Sequence, residues 1–374
     1  MKAIINKTGR ELTALIGLAQ RENNPKRGYL LVNRMQAKHV PSRPGEALAL
    51  FAALGRELYP QLSGRVTFIG FAETATAIGA HVAAICPGQA YYLQTTREAL
   101  PKAYAVLDFE EEHSHATEQM LFCRDSQRLL HAAEQIVFVE DEISTGKTIL
   151  NFIRALKASG IEARFSVASL LNGMSKEQEA GFVQRGIALH YLVRLDADSL
   201  RLPVSGEVYA DEAPAPLAAP PPTEIRLPGR WEPRLGGLAN AYRAACQALA
   251  DAAVAQVPPD AARILVLGTE ECMYPAICCA QRIEEQCQAE VFVHASSRSP
   301  ILPRRTPGYP LCNRSRLRSM YDQQRSTFIY NLQAYDFVLV VTDAPTDSPA
   351  ARQDLAHALE RRGNRRVTFI RWEE

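Results

Sequence analysis

At 374 residues, with 47% hydrophobic content and a formal charge of +1, the chain has material for two folded cores. So balanced a charge excludes bulk nucleic-acid binding and adhesion to an anionic membrane surface, and no apolar run is long enough to span a membrane. The first residues lack a signal-peptide core and the eight cysteines include no CxxC pair, so a reducing, cytoplasmic setting is expected.

In chain order, apolar runs of strand length alternate with helical patterns. Strands are predicted over 29–32, 66–70, 90–94, 136–139, 164–171 and 189–193, and helices over 46–59, 74–85 and 145–159. This alternation predicts a parallel sheet with helices on both faces, whose ligands sit at the carboxyl ends of the strands.

The motifs fall at those ends. Gly70-Phe71-Ala72-Glu73-Thr74 follows the second predicted strand, and its small residues would admit close approach of the backbone to a ligand. Thr95-Thr96-Arg97 follows the third, where an arginine suits bidentate contact with phosphate oxygens. A long polar segment from Leu100 to His131 carries Lys102, Glu110 to Glu112, His113 and His115, and reads as a lid, as a solvated charged loop or, from its HxH beside acids, as a metal site. The fourth strand runs into Glu140 and Asp141, then Ser144-Thr145-Gly146-Lys147-Thr148 opens a helix. Main-chain N–H groups and hydroxyls there can cradle a phosphate at the positive end of the helix. The two acids, acceptors when ionised, suit vicinal ribose hydroxyls. An acidic strand end followed by an N-capped helix is the plainer alternative.

A Pro-rich stretch over 203–233 reads as a semi-extended linker, with Leu217, Ile225, Leu227 and Trp231 as apolar anchors if it wraps a domain surface. Beyond it the pattern repeats. Residues 263–271 echo 66–73, 291–298 echo 90–97, 337–343 echo 135–141 and 367–370 echo 165–168, at an offset of about 200 positions. A duplicated α/β unit explains the near-constant offset, although convergence among ordinary α/β repeats is the alternative. The second copy lacks the cradle: Ala344-Pro345-Thr346-Asp347-Ser348-Pro349 has no glycine, and its carboxylate would repel phosphate. A run of arginines from Arg304 to Arg325 is expected to neutralise Glu110 to Glu112, to meet an anionic partner, or to form a solvated face.

The Glu140 to Thr148 string resembles the 5-phosphoribosyl-1-pyrophosphate (PRPP) loop of type I phosphoribosyltransferases. With Lys38 to Pro41, Gly70 to Thr76, Thr95 to Arg97, Glu111 to His115 and Ser297-Arg298-Ser299-Pro300, the chain is similar to the phosphoribosyltransferase-like proteins of tellurite-resistance and stress gene clusters. Those carry an orotate-phosphoribosyltransferase-like domain and a C-terminal TRSP domain; serine stands here for the first residue of that Thr-Arg-Ser-Pro motif. The resemblance implies an α/β fold with a type I phosphoribosyltransferase-like parallel sheet over 1–205, a Pro-rich linker over 206–235 and a Rossmann-like, degenerate second domain over 236–374. It further implies a magnesium-dependent pentosyltransferase in nucleotide-like metabolism, using PRPP and a base-like acceptor whose pocket comes from 33–43 and the second domain. Glu140, Asp141 and Ser144 to Thr148 would then hold PRPP, with magnesium carried by that substrate and no direct protein ligand assigned. Glu73, Thr74 and Thr96 would face pyrophosphate, and Arg97, Lys102, His113 and His115 would act in catalysis. A homodimer is compatible with this reading. A PRPP-sensing regulator without transferase activity is the alternative, and PRPP synthesis a third reading for which no ATP-site residues are recognised.

Overall fold

A computed structural model describes residues 1–22, 28–107, 119–202, 207–208, 222 and 224–374. The chain divides into two compact units, each discontinuous in sequence. The first comprises Met1–Gly9, Ala49–Leu200 and Trp231–Ala244, and the second Arg10–Leu48, Arg201–Arg230 and Ala245–Glu374.

In the first unit, a sheet runs in the spatial order Ala3–Asn6, Ala188–Leu195, Arg164–Asn172, Gln135–Ile143, Val66–Gly70, Ala90–Gln94 and Gly237–Leu238. The five strands between the first and last of these are parallel, and the two edge strands are antiparallel. Val66–Gly70 and Ala90–Gln94 are buried throughout, as near-continuous apolar runs covered on both faces must be. Chain order reverses between Val66–Gly70 and Gln135–Ile143, so the crevice of an open α/β sheet lies beyond their carboxyl ends.

Packing beneath that crevice is aromatic and tight. Phe71 lies 5.7 Å from Phe138 and 5.0 Å from Phe152 between ring centroids. Phe152 belongs to the helix Lys147–Ala158, whose buried Ile149, Phe152, Ile153 and Leu156 follow the helical period. Gly70 and Gly79 let the helix Thr76–Ala84 close on its strand, since a Cβ on Gly79 would stand 3.0 Å from Gly70 Cα.

Two expectations change in the second unit. The predicted strand near 29–32 forms as Tyr29–Asn33, but in an antiparallel sheet with Ile16–Arg21 and Ile301–Leu302 rather than in a parallel one. The linker also contributes regular structure. Glu224–Leu227 pairs in parallel with Val367–Trp372, so this part donates ladder hydrogen bonds that its proline-rich neighbourhood argues against. The remaining strands follow in the order Phe337–Thr342, Arg263–Gly268 and Glu290–Ala295, all parallel. Counted along the chain, the last four repeat the order of their echoes in the first unit, with the reversal between Arg263–Gly268 and Phe337–Thr342.

Three arginines of the run are paired within this unit, Arg314 with Glu22 at 2.7 Å, Arg318 with Asp354 at 2.6 Å and Arg325 with Glu270 at 2.9 Å, while Arg305 and Arg316 are exposed and Glu110 to Glu112 lie outside the described residues. Cys279 is buried and Cys278 half-buried on the helix Met273–Gln286, both as free thiols. Among the described residues, no helix is long and apolar enough to cross a membrane.

Candidate active site

Gln135–Ile143 carries the two acids inside the strand itself, beyond the Ile136 to Val139 run that composition marks. Its register explains why they reach a crevice. Gly70 is the last residue of the neighbouring strand and pairs with Val139, whereas on the other side Glu140 still pairs with Ser169 and Glu142 with Leu171. The acids therefore project past one neighbour while the other holds their backbone.

Glu140, Asp141 and Glu142 are half-buried. Burial, followed by the negative charges of Asp141 and Glu142, pushes the Glu140 carboxyl well above the usual carboxylate range; a backbone hydrogen bond at Asp141 and the charge of Arg97 oppose the rise. Arg97 thus lies within electrostatic reach of Glu140. The folded state binds the Glu140 proton more tightly than the unfolded chain does, so this stability is present at low pH and lost as pH rises through the elevated value. Glu140→Gln cannot ionise. It is expected to be more stable than the wild type at neutral and alkaline pH, with the gap closing toward about pH 4 in thermal unfolding.

Beyond the acids the chain turns at Gly146, which caps the helix Lys147–Ala158 with φ 72°, two residues later than the predicted start at Thr145. A Cβ on Gly146 would stand 2.4 Å from the Phe182 ring and 3.3 Å from Met174 Sδ, so only glycine fits both the backbone angle and the space. The N–H groups of the first helical turn have no intrahelical acceptor. That of Lys147 reaches Thr145 Oγ1 at 3.4 Å, and the Leu150 N–H donates to Gly146 O at 3.0 Å. Thr145 and Lys147 are exposed, and Ser144 and Thr148 half-buried. Hydroxyls, backbone donors and a helix N-terminus together form a place for an anion.

The turn after Val66–Gly70 forms the facing wall. Phe71 N–H donates to Val139 O at 3.0 Å, and the Ala72–Glu73 peptide is cis. Glu73 and Thr74 are half-buried; Thr76 is buried, and its hydroxyl donates to Glu73 O at 3.1 Å.

Two residues outside the predicted set shape this wall. Thr95 Oγ1 accepts from Ala72 N–H at 2.8 Å and donates to Gln119 Oε1 at 2.8 Å, while Gln119 Nε2 donates to Ala72 O at 3.0 Å. Both main-chain polar groups of Ala72 are thereby fixed. Thr96, the predicted ligand of the pair, is fully buried and accepts from Glu98 N–H at 3.0 Å, bracing its own turn. Period-two alternation beyond the strand end would separate the roles of Thr95 and Thr96. No local signal links Gln119 to Ala72.

Lys102 is exposed on the short turn Lys102–Tyr104. His113 and His115 lie outside the described residues.

In the second unit, the position of the cradle is filled from within. Asp347 is held by Arg352 and, at 2.9 Å, by Arg371, and Arg371 also pairs with Glu224 at 2.7 Å. A carboxylate thus occupies the place where the first unit offers donors.

Residues 15–199 match a family model described as phosphoribosyl transferase, and residues 233–359 one described as the TRSP domain C terminus to PRTase_2. No curated protein matches the chain. Among solved structures, it is similar to adenine phosphoribosyl transferase from Trypanosoma brucei in complex with AMP, pyrophosphate and ribose-5-phosphate, at 14% identity and a TM-score of 0.36, covering 52% of this chain and 83% of that one. Orotate phosphoribosyltransferase from Mycobacterium tuberculosis gives 16% identity and a TM-score of 0.32, covering 50% and 95%. The Giardia lamblia APRTase complexed with 9-deazaadenine gives 14% and 0.34, covering 49% and 94%.

Proposed function

Because this chain belongs to the phosphoribosyl transferase family that carries a C-terminal TRSP domain, we propose that it transfers a phosphoribosyl group from PRPP to a base-like acceptor with the help of magnesium. The observation that carries the reading is the junction of two half-buried acids with a glycine-capped helix start at the point of strand-order reversal. In the reaction, a lone pair on the acceptor forms a bond to C1 of the ribose. The bond from C1 to pyrophosphate breaks, its electrons leave with the pyrophosphate, and the acceptor gives up a proton.

The chemistry asks for positioning and charge neutralisation rather than covalent participation. Glu140 and Asp141 hold the ribose hydroxyls, and residues Ser144 to Thr148 bind the 5′-phosphate. Glu73 and Thr74 face pyrophosphate with Arg97, while Lys102, His113 and His115 donate to it as it departs. Thr96 and Lys147 belong to the same set, Thr96 through its turn and Lys147 through its backbone at the helix start.

Magnesium suits these residues. It prefers oxygen donors and binds through one or two carboxylates, with water and substrate phosphates completing its shell. Glu140, Asp141 and Glu73 offer such oxygens, and the ion would supply charge neutralisation at the diphosphate.

Arg97→Ala is expected to lower turnover more than it weakens binding of the product-like ribose 5-phosphate, compared by steady-state kinetics and calorimetry. An equal fall in both would remove Arg97 from the pyrophosphate side. The reading as a whole is tested by screening pyrophosphate release from PRPP and magnesium against purines, pyrimidines and other nitrogen heterocycles. Release that depends on the acceptor is expected. A protein that binds PRPP yet releases nothing with any of them is a sensor instead.

A further inference from the structure

The strand order of the second unit has a reversal of its own, between Arg263–Gly268 and Phe337–Thr342, the place where an open α/β sheet forms its crevice. Its chemistry differs from that of the first. Glu270, at the end of one strand, takes Arg298 at 2.6 Å, Arg325 at 2.9 Å and the Ser319 hydroxyl, with its side chain 1% exposed. Across the reversal, Asp343 accepts from the Tyr321 hydroxyl. Lys38 donates to Glu270 O at 2.9 Å and to Ser296 O at 2.8 Å, tying the two neighbouring strand ends together.

Structural cement alone is a poor account of this arrangement. Buried ion networks are often no more stable than apolar packing of the same volume. Glu270 also sits at φ 48°, a conformation that costs a residue with a side chain about 1–3 kcal/mol and that concentrates at ligand clamps. The cover of the crevice is equally telling. Ser319, Tyr321 and Arg325 all come from one short turn, which joins the antiparallel strands Arg314–Arg318 and Ser326–Tyr330. This arm leaves the sheet between the second and third strands of its set, as the pair Ala105–Leu107 and Leu121–Phe122 does in the first unit. The tip at Asp322 to Gln324 is exposed, whereas Met320 seats the turn in the core of the unit, so exchange of partners here falls to the side chains of the turn and not to its backbone.

We infer that the crevice of the second unit is a binding site for a ribose-type vicinal diol without a 5′-phosphate, a nucleoside or free pentose, and that the Ser319 and Tyr321 hydroxyls of the 319–325 turn occupy it in the ligand's absence. Asp343 stands at the position echoed by Asp141, and the hydroxyls of Tyr321 and Ser319 now make the hydrogen bonds that a diol would make to Asp343 and Glu270. Phosphate is rejected because Asp347 already fills the pocket of Arg352 and Arg371.

The test titrates the full chain calorimetrically with adenosine, uridine and D-ribose, using 2′-deoxyadenosine and 2′-deoxyuridine as controls. At least one ribosyl probe is expected to bind once per chain. Losing one hydroxyl–carboxylate bond should weaken binding about tenfold, whether by using the 2′-deoxy probe or Asp343→Asn. Tyr321→Phe removes the competing hydroxyl and should tighten binding about threefold. The double variant Glu140→Gln and Asp141→Asn should leave this binding intact while losing PRPP, which separates failure here from failure at the first site. Equal binding of D-ribose and nucleosides assigns the sugar alone as the ligand; preference for a nucleoside adds its base. The inference is overturned if none of the three probes binds either wild type or Tyr321→Phe at millimolar concentration. It is also overturned if binding disappears with the Glu140 and Asp141 variant or ignores Asp343→Asn. Should Asp343→Asn fail to fold, Tyr321→Phe still decides.

Discussion

Replacing Glu140 with Gln and Asp141 with Asn together is expected to weaken PRPP binding roughly 100-fold or more. A hydrogen bond to a charged group contributes about 1.5–3 kcal/mol, and about 1.4 kcal/mol is tenfold in affinity. Removing two such bonds to ribose hydroxyls therefore reaches that scale, while both substitutions keep the shape of the strand end. The single variants should be unequal. Burial and two neighbouring carboxylates work against the ionised form of Glu140, so its bond to a ribose hydroxyl is the weaker of the two. Asp141→Asn should then account for most of the loss. Calorimetry with magnesium and PRPP measures both, and unchanged affinity in the double variant would remove the acid pair from the site.

Gly146→Ala should damage the same site by a different route. An L-residue in the left-handed region costs about 1–2 kcal/mol, and the new methyl would also meet the Phe182 ring, itself 1% exposed and unable to withdraw freely. Gly160 supplies the control. It has φ 80° with nothing within 4 Å of a built Cβ, so Gly160→Ala reports the backbone cost alone. Denaturant unfolding should show a larger loss for Gly146→Ala than for Gly160→Ala. PRPP affinity should fall about tenfold or more only in the former, because the helix start must shift to relieve the clash. Equal effects would mean that the loop tolerates a side chain.

These two sites were legible because their physics is local. A buried parallel strand must be continuously apolar, so two acids at its end stand out, and a glycine before a helix marks a backbone angle. The second set of strands was legible for the same reason, and the repeated order follows from motifs about 200 positions apart. What escaped depends on packing between distant segments. Gln119 holds the carbonyl of Ala72 across 47 positions and braces the Thr95 hydroxyl that takes its N–H, which no spacing rule encodes. The allegiance of Arg10–Leu48 to the second unit is likewise a matter of long-range packing, although the lysine and histidine of its Lys38-His39-Val40-Pro41 segment are unusually buried for such residue types. Glu224–Leu227 was hidden by its surroundings: prolines on both sides mask four residues that can pair perfectly well.

That short strand bears on what counts as a domain here. The family match to the C-terminal part covers residues 233–359, but the sheet of this unit continues outside it, through Val367–Trp372 to an edge strand at residues 224–227. A fragment begun at residue 233 and carried on past the end of the match at 359 to residue 374 would leave Val367–Trp372 as a bare edge, with Phe369, Ile370 and Trp372 on a strand whose hydrogen-bonding groups have lost their partner. Such an edge recruits the nearest available strand, including one from another molecule. The part inherited as a module and the part that can stand alone in solution are therefore different lengths of the same chain.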